Sequence, residues 1–368
     1  MKKRFLGVLL SVAMVAAVLA GCGSSSAKET AAPAGSETEA ASEAASGETE
    51  AAGNTGDVIT VGFSQVGAES DWRTANSESM KSTFSTENGY NLIFDDAQQK
   101  QENQIAAIRN FIQQEVDYIV PAPVTESGWD TVLQEAKDAE IPVIIVDRMV
   151  DVSDDSLYTA WVGSNFKLEG QKACEWLKQY AAAKNMSEVN IVDIQGTIGA
   201  SAQIGRTEAL NEAVQANGWN LLAQQTGEFT QAKGQEVMES MLKQYDNINV
   251  VYCENDNEAF GAIEAIKAAG KTVGPDGDIL VMSFDTTKQG ITDTLSGDII
   301  VNTECNPLHG PRVEQIIKQL QAGETPEKQA YVEEGIYAHG SDVASVSIDG
   351  TDYEVTEVTQ DVVDARAY

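Results

Sequence analysis

Two consecutive runs of alternating strand and helix patterns, one in each half of the chain, limit the possible folds more than any other feature of the sequence. Val58-Ile-Thr-Val-Gly-Phe63 is a short β-branched run. Helical periodicity from Trp72 to Asn88 follows, closing at Gly89, a residue type favoured just past a helix. Tyr90-Asn-Leu-Ile-Phe94 reads as a strand, and Gln101 to Glu115 as a helix with Ile105, Ile108 and Ile112 on one face. Strand Val116 to Ala122, helix Trp129 to Ala139 and the wholly apolar strand Pro142-Val-Ile-Ile-Val146 complete the first set. The rhythm restarts after Gly163, with helix Phe166 to Lys184, strand Val189 to Ile194, helix Ile204 to Asn217 and strand Asn220 to Ala223. Helix Lys233 to Tyr245, strand Asn249 to Cys253, helix Glu258 to Ala269 and strand Ile279 to Ser283 follow. Continuous apolar strands separated by helices imply parallel sheets covered on both faces. Two such sets in tandem predict an α/β chain of two doubly wound parallel-sheet lobes, whose ligands sit beyond the carboxyl ends of the strands.

The segment before the first strand has a different character. Met-Lys-Lys-Arg, the apolar run Phe5 to Leu19 and Ala20-Gly21-Cys22 have the order of a secretory signal, and the run is short of the roughly 20 residues a membrane span needs. Leu19-Ala-Gly-Cys22 resembles a bacterial lipoprotein box, so residues 1–21 are expected to be removed and Cys22 to carry lipid. Residues 23–56 are almost entirely Ser, Ala, Glu, Thr and Gly, with no aromatic and no branched aliphatic side chain, too little apolar surface to fold, so 22–56 is expected to be a lipidated Cys on an acidic leash. The remaining 312 residues suit two domains of roughly 150 each.

A net charge of −33, from 57 Asp+Glu against 24 Lys+Arg, excludes nucleic-acid binding through a basic surface. With only His309 and His339, a multi-His metal site or His triad starts from poor material, and no cofactor is expected. Cys174, Cys253 and Cys305 show no Cys-x-x-Cys spacing and are expected to be buried free thiols.

Polar residues recur at the predicted strand ends. Ser64, Gln65, Glu69, Trp72 and Arg73 follow the first strand, Asp147 and Arg148 end the fourth, and Thr197, Ala200 and Arg206 follow the first strand of the second half. Asn255 and Asp256 end Val-Val-Tyr-Cys, and Asp285 ends Val-Met-Ser-Phe. Carboxylates and amides accept from sugar hydroxyls, guanidinium groups donate, and an indole face can lie against sugar C–H groups. Each residue alone has a plainer alternative: a helix cap for an Asp, core packing for Trp72, surface charge for an Arg. The Gly196 to Gly199 turn is neither a complete phosphate loop nor a complete dinucleotide fingerprint.

Val61-Gly-Phe-Ser-Gln-Val-Gly67 with Glu69 and Trp72-Arg73 resembles the start of galactofuranose-binding proteins, type I periplasmic sugar receptors of ABC importers. The resemblance continues through Asp95 to Gln104, Ala122-Pro-Val124 with Gly128-Trp129, Glu135 to Pro142, Asp147-Arg148 and Gln195-Gly-Thr-Ile-Gly-Ala-Ser201. It extends on through Val237-Met-Glu-Ser240 and Gly261-Ala-Ile with Ala265-Ile-Lys267. Asn257 and Gly205 stand where that subgroup carries acids. The resemblance implies a monomeric receptor with three hinge crossings, near 162–165, 302–306 and 334–337. Its N-terminal lobe would be 57–163 plus 305–335, and its C-terminal lobe 164–304 plus 336–368. It assigns all the strand-end residues named above to the sugar site and adds Glu304 beside the cleft.

The reading is an exported, lipid-anchored solute receptor that hands a monosaccharide such as galactofuranose to an ABC permease, with no enzymatic activity. A receptor feeding a sensor kinase or chemotaxis system is the alternative, and a glycoside hydrolase built on Glu69, Asp147, Asp256 and Asp285 a more distant one. Against the hydrolase, arginines nearby are expected to hold those acids ionised, whereas a general acid needs a raised pKa. A repressor would need a basic DNA-binding segment where residues 1–56 carry a signal and an acidic leash.

Overall fold

The computed structural model describes residues 58–368, so the signal sequence, Cys22 and the acidic leash lie outside the described residues. The first half runs β1 (Ile59–Gln65), α1 (Asp71–Thr83), β2 (Tyr90–Asp96), α2 (Gln101–Gln113), β3 (Tyr118–Pro121), α3 (Asp130–Asp138), β4 (Ile144–Val146) and β5 (Ala160–Gly163). The second runs α4 (Phe166–Ala183), β6 (Asn190–Gln195), α5 (Ser201–Asn217), β7 (Asn220–Thr226), α6 (Gln231–Gln244), β8 (Val250–Cys253), α7 (Asp256–Ala268), β9 (Leu280–Asp285), α8 (Lys288–Ser296) and β10 (Val301–Glu304). The chain closes with α9 (Gly310–Gln321), β11 (Gln329–Tyr331), β12 (Ile336–Ala338), β13 (Ser345–Ile348), β14 (Thr351–Glu357) and α10 (Gln360–Ala365).

Both sheets repeat one parallel order. Strands β2-β1-β3 meet β4-β5-β11 through a bridge between Ile119 and Val143, and the second sheet runs β7-β6-β8-β9-β10-β12-β14-β13. Each therefore carries a 2-1-3-4-5 winding with a switch point beside its first strand, where doubly wound sheets bind ligands. Burial alternates as a two-sided sheet requires. Ile144 and Val146 pack with Met80 and Val313, whereas Ile145 packs with Ile108 and Leu133. In the second sheet Ile191 and Val250 face Trp176 and Leu177, while Val192 and Val251 face Met238 and Ile263.

The chain passes between the sheets after β5, after β10 and after β11, through 164–165, 305–309 and 332–335. The arrival after β11 reverses direction, so β12 is antiparallel to β10 and β13 to β14. This C-terminal region departs from the all-parallel expectation. The first helix is also shorter than its periodicity suggests. It ends at Thr83, with Asn88 Nδ2 donating to the carbonyls of Ser82 and Thr83 and closing the turn. Cys174, Cys253 and Cys305 are buried free thiols, as expected.

Candidate functional site

The carboxyl ends of both sheets face one cavity, lined by Glu69, Ser70, Trp72, Arg73, Asp147 and Arg148 from the first sheet's side. Phe166, Ala202, Arg206, Phe229, Asn255, Asp285 and Cys305 complete it. The backbone aims these groups. Ser70 caps α1 by accepting from the Arg73 amide, which fixes Trp72 and Arg73 in the first turn. Asp147 and Asp285 end β4 and β9 with φ of 63° and 99°, a left-handed geometry that non-glycine residues adopt rarely and that recurs at ligand clamps. Gly196 makes room for Phe229, whose ring would lie 1.9 Å from any Cβ at that position.

Charges in the wall balance: three guanidinium groups (Arg73, Arg148, Arg206) oppose three carboxyls (Glu69, Asp147, Asp285). Arg73 Nε lies 3.1 Å from Glu69 Oε1, and its Nη1 2.8 Å from Asp147 Oδ2. Arg148 Nη1 donates to the Val124 carbonyl at 2.9 Å. Arg206 Nε donates to Glu169 Oε2 at 2.8 Å, and its Nη2 lies 3.6 Å from Asp285 Oδ1. Buried Asp147 is driven up by desolvation, but Arg73 and Arg148 outweigh that and hold it below the usual carboxylate range. Desolvation and the neighbouring Arg73 bring Arg148 down to about 10, so it stays cationic at neutral pH.

Asp285 behaves otherwise. Burial pushes its carboxyl well above the ordinary range, and Arg206 offsets only part of this. Nearby arginines therefore do not keep every acid here below its usual range: desolvation is the larger effect at Asp285, and it also raises Asp256, to about 6. Glu69 Oε2, Asp147 Oδ2 and Arg206 Nη2 are buried with no hydrogen-bond partner; Asp147 Oδ2 and Arg206 Nη2 sit at ion-pair distance but off the bonding direction. Glu69 Oε2 is thereby left for a guest to satisfy, and a buried polar atom left unpaired costs about 1–3 kcal/mol.

Eight of the residues expected from strand ends line this cavity: Glu69, Trp72, Arg73, Asp147, Arg148, Arg206, Asn255 and Asp285. The other six do not. Gln65 accepts from Arg73 Nη1 and donates to Asn76 and Ser77, so it positions Arg73 from behind. Ser64 lies buried within β1, and half-buried Thr197 accepts from the Ala200 amide in the turn before α5. Ala200 packs into an apolar cluster with Trp72, Phe166 and Phe229. Asp256 turns away and accepts from Ser283 Oγ, Thr287 N, Thr287 Oγ1 and Asn302 Nδ2, which ties the start of α7 to β9, β10 and the start of α8, while Asn255 is the residue that caps α7. Glu304 accepts from Arg366, Tyr368 and the Gly335 amide at the hinge. Ser70, Phe166, Ala202, Phe229 and Cys305 were missed. Phe229 follows the carboxyl end of β7, where the strand-end rule would have found it had that strand been read through to Thr226.

The two sides also touch directly. The Asp71 amide donates to Asn257 Oδ1 at 3.0 Å, the Met149 amide to Ser201 Oγ at 2.9 Å and the Glu126 amide to the Gly199 carbonyl at 2.9 Å. Arg148 stacks 5.0 Å from the Phe229 ring centroid.

A pair of facing α/β sheets with a cavity at their switch points defines a solute-binding class. The chain belongs to the family described as periplasmic binding protein domain, which matches residues 61–303. It is a solute-binding protein, not an enzyme. It is 42% identical over 284 residues to the galactofuranose-binding protein YtfQ of Escherichia coli (strain K12), covering 76% of this chain and 87% of that one. Among solved structures, a Mycobacterium smegmatis protein in complex with β-D-fucofuranose is 44% identical with a TM-score of 0.73, over 76% of this chain and 91% of that one. The binding component of the arabinose ABC transporter from Shewanella sp. ANA-3, bound to α- and β-L-arabinofuranose, is 42% identical with a TM-score of 0.71, over 76% of this chain and 92% of that one.

Proposed function

We propose that this chain is the extracytoplasmic receptor of an ABC sugar importer, clamping one aldose in its furanose form between two lobes and presenting the closed form to a permease. The observation that carries the reading is the wall of paired guanidinium and carboxyl groups from both sides, with Glu69 Oε2 buried and unpartnered. Balanced charge favours a neutral guest, and such atoms are matched by hydroxyls that both donate and accept. Trp72, Phe166 and Phe229 supply apolar faces for the C–H side of a sugar ring. The furanose preference is supported by the relatives named above, with galactofuranose, fucofuranose and arabinofuranose as the candidates. The lobes are residues 57–163 with 305–335, and 164–304 with 336–368. Cys22 is the lipid anchor, so Cys22→Ala is expected to release the protein from membranes into the medium.

A thermal-shift panel of pentoses and hexoses, including furanose-locked forms, tests the substrate class. A sugar at 100 times its dissociation constant adds about 2.7 kcal/mol of stability. Stabilisation by amino acids or nucleosides with none from any sugar contradicts the reading.

A further inference from the structure

All three crossings between the sheets converge on one side chain. Glu334, in the third crossing, accepts through Oε1 from Ser164 Oγ of the first crossing at 2.6 Å and from the Asn306 amide of the second at 2.7 Å. One carboxylate oxygen of Glu334, one of Glu169 and Cys305 Sγ lie within 4.8 Å of one another. Glu169 is 2% exposed, and its Oε2 accepts from Arg206 of the cavity wall. An unbroken polar line therefore runs from Asp285 through Arg206 and Glu169 to Glu334 and the crossings.

Two carboxyls this close, Glu169 buried and Glu334 half-buried, cannot both stay ionised without compensation. Arg206 faces Glu169, and Lys172 of α4 faces both while donating to the Glu334 carbonyl at 2.9 Å. Glu304 and the Cys305 thiol add no positive charge, and Asp285 stands behind Arg206. Burial, offset only partly by Arg206, raises Glu169; burial and then Glu169 itself raise Glu334. Glu169 Oε1 is buried with no donor aimed at it, as expected where a proton is needed between the two carboxyls.

We infer that Glu169 and Glu334 share one proton in this closed form, and that closure around a ligand takes that proton up. Opening rotates the crossings, parts Ser164 and Asn306 from Glu334 and admits water to both carboxyls. Binding is then favoured at low pH, and affinity falls as pH rises through the window between the open and closed titrations, by at most about tenfold per pH unit.

The inference rests on the sugar-receptor reading, and the test separates the two. Calorimetry uses whichever of D-galactose, D-fucose or L-arabinose stabilises the protein most, at pH 5 to 8 in buffers of different ionisation heat. Wild type is expected to take up protons on binding, to a maximum of about one per sugar. Glu334→Gln, which keeps an acceptor for Ser164 and Asn306 and donates permanently to Glu169, is expected to bind with no proton exchange and no pH slope. Should that variant misfold, Ser164→Ala serves instead: losing a donor to Glu334 is expected to move the uptake window to higher pH. Sugar binding without proton exchange in wild type, uptake undiminished in Glu334→Gln, or an unmoved window in Ser164→Ala overturns the shared proton and leaves the receptor reading intact. Absence of stabilisation by any sugar overturns the receptor reading, and this inference with it.

Discussion

His309 sits just before α9, its ring edge-on to Trp72 with centroids 5.8 Å apart and its Nδ1 3.1 Å from Asn76 Nδ2. Asn76 can only donate there, so Nδ1 accepts and the proton is assigned to Nε2. Burial pulls the ring down to about 4, with Asp147 opposing. A histidine held neutral supplies stability that is complete above its unfolded value of about 6.5 and is lost as pH falls towards the folded value. The protein is therefore expected to lose up to about 3 kcal/mol from this group between pH 6.5 and 4. Nitrogen-detected NMR checks it: a His309 midpoint near 4 is expected, and one near 6.5 contradicts a sealed ring. Asp256 offers a second residue-scale prediction. Asp256→Ala strands four donors and is expected to lower stability by about 2–4 kcal/mol in denaturant melts. A change under about 0.5 kcal/mol contradicts its structural role.

The pairing of α4 with α5 depends on a residue without a side chain. A Cβ at Gly205 would lie 2.8 Å from the Lys167 amide nitrogen and 2.9 Å from Phe166 Cβ, which is why this chain has no room for an acid there. Gly205→Ala is expected to force the helices apart, costing about 1–3 kcal/mol and displacing Phe166 from the cavity wall. Thermal melts and sugar titration together check this, and unchanged affinity at lowered stability would show that Phe166 does not carry the effect. The same elements show what the sequence made legible. Periodicity and apolar runs locate β1 to β4 and β6 to β9 because a strand buried on both faces has little latitude in composition, as Ile144-Ile-Val146 illustrates, whereas the four-residue β5 gives no such run. The strand-end rule found Asp147, Arg206 and Asp285 because a doubly wound sheet delivers those ends to one edge. It could not distinguish Asn255 from Asp256, adjacent residues of which one lines the cavity and the other accepts from Thr287 at the start of α8, since that depends on which neighbour arrives from α8. The final strands escaped because β13 and β14 are short, half-exposed and antiparallel, without the buried signature of the rest.

At the scale of the molecule, three direct hydrogen bonds and the Arg148–Phe229 stack join the two sides around the cavity. Closure is a population shift, limited by the contacts that differ between states. Ser201 lies outside the cavity lining and accepts from the Met149 amide, so Ser201→Ala removes a closed-state contact without removing a ligand contact. It is expected to weaken sugar binding by about 1 kcal/mol, roughly fivefold, while leaving the melting temperature of the free protein nearly unchanged. Equal affinity by calorimetry contradicts that contribution. The central claim is that charged groups from both sides hold one neutral sugar in a shared cavity, and calorimetric titration of the stabilising sugar into wild type, Asp147→Ala and Arg206→Ala tests it most directly. Each variant is expected to lose about 2–5 kcal/mol of binding free energy, since each strands a buried charged partner. Dissociation constants within twofold of wild type for both would contradict it.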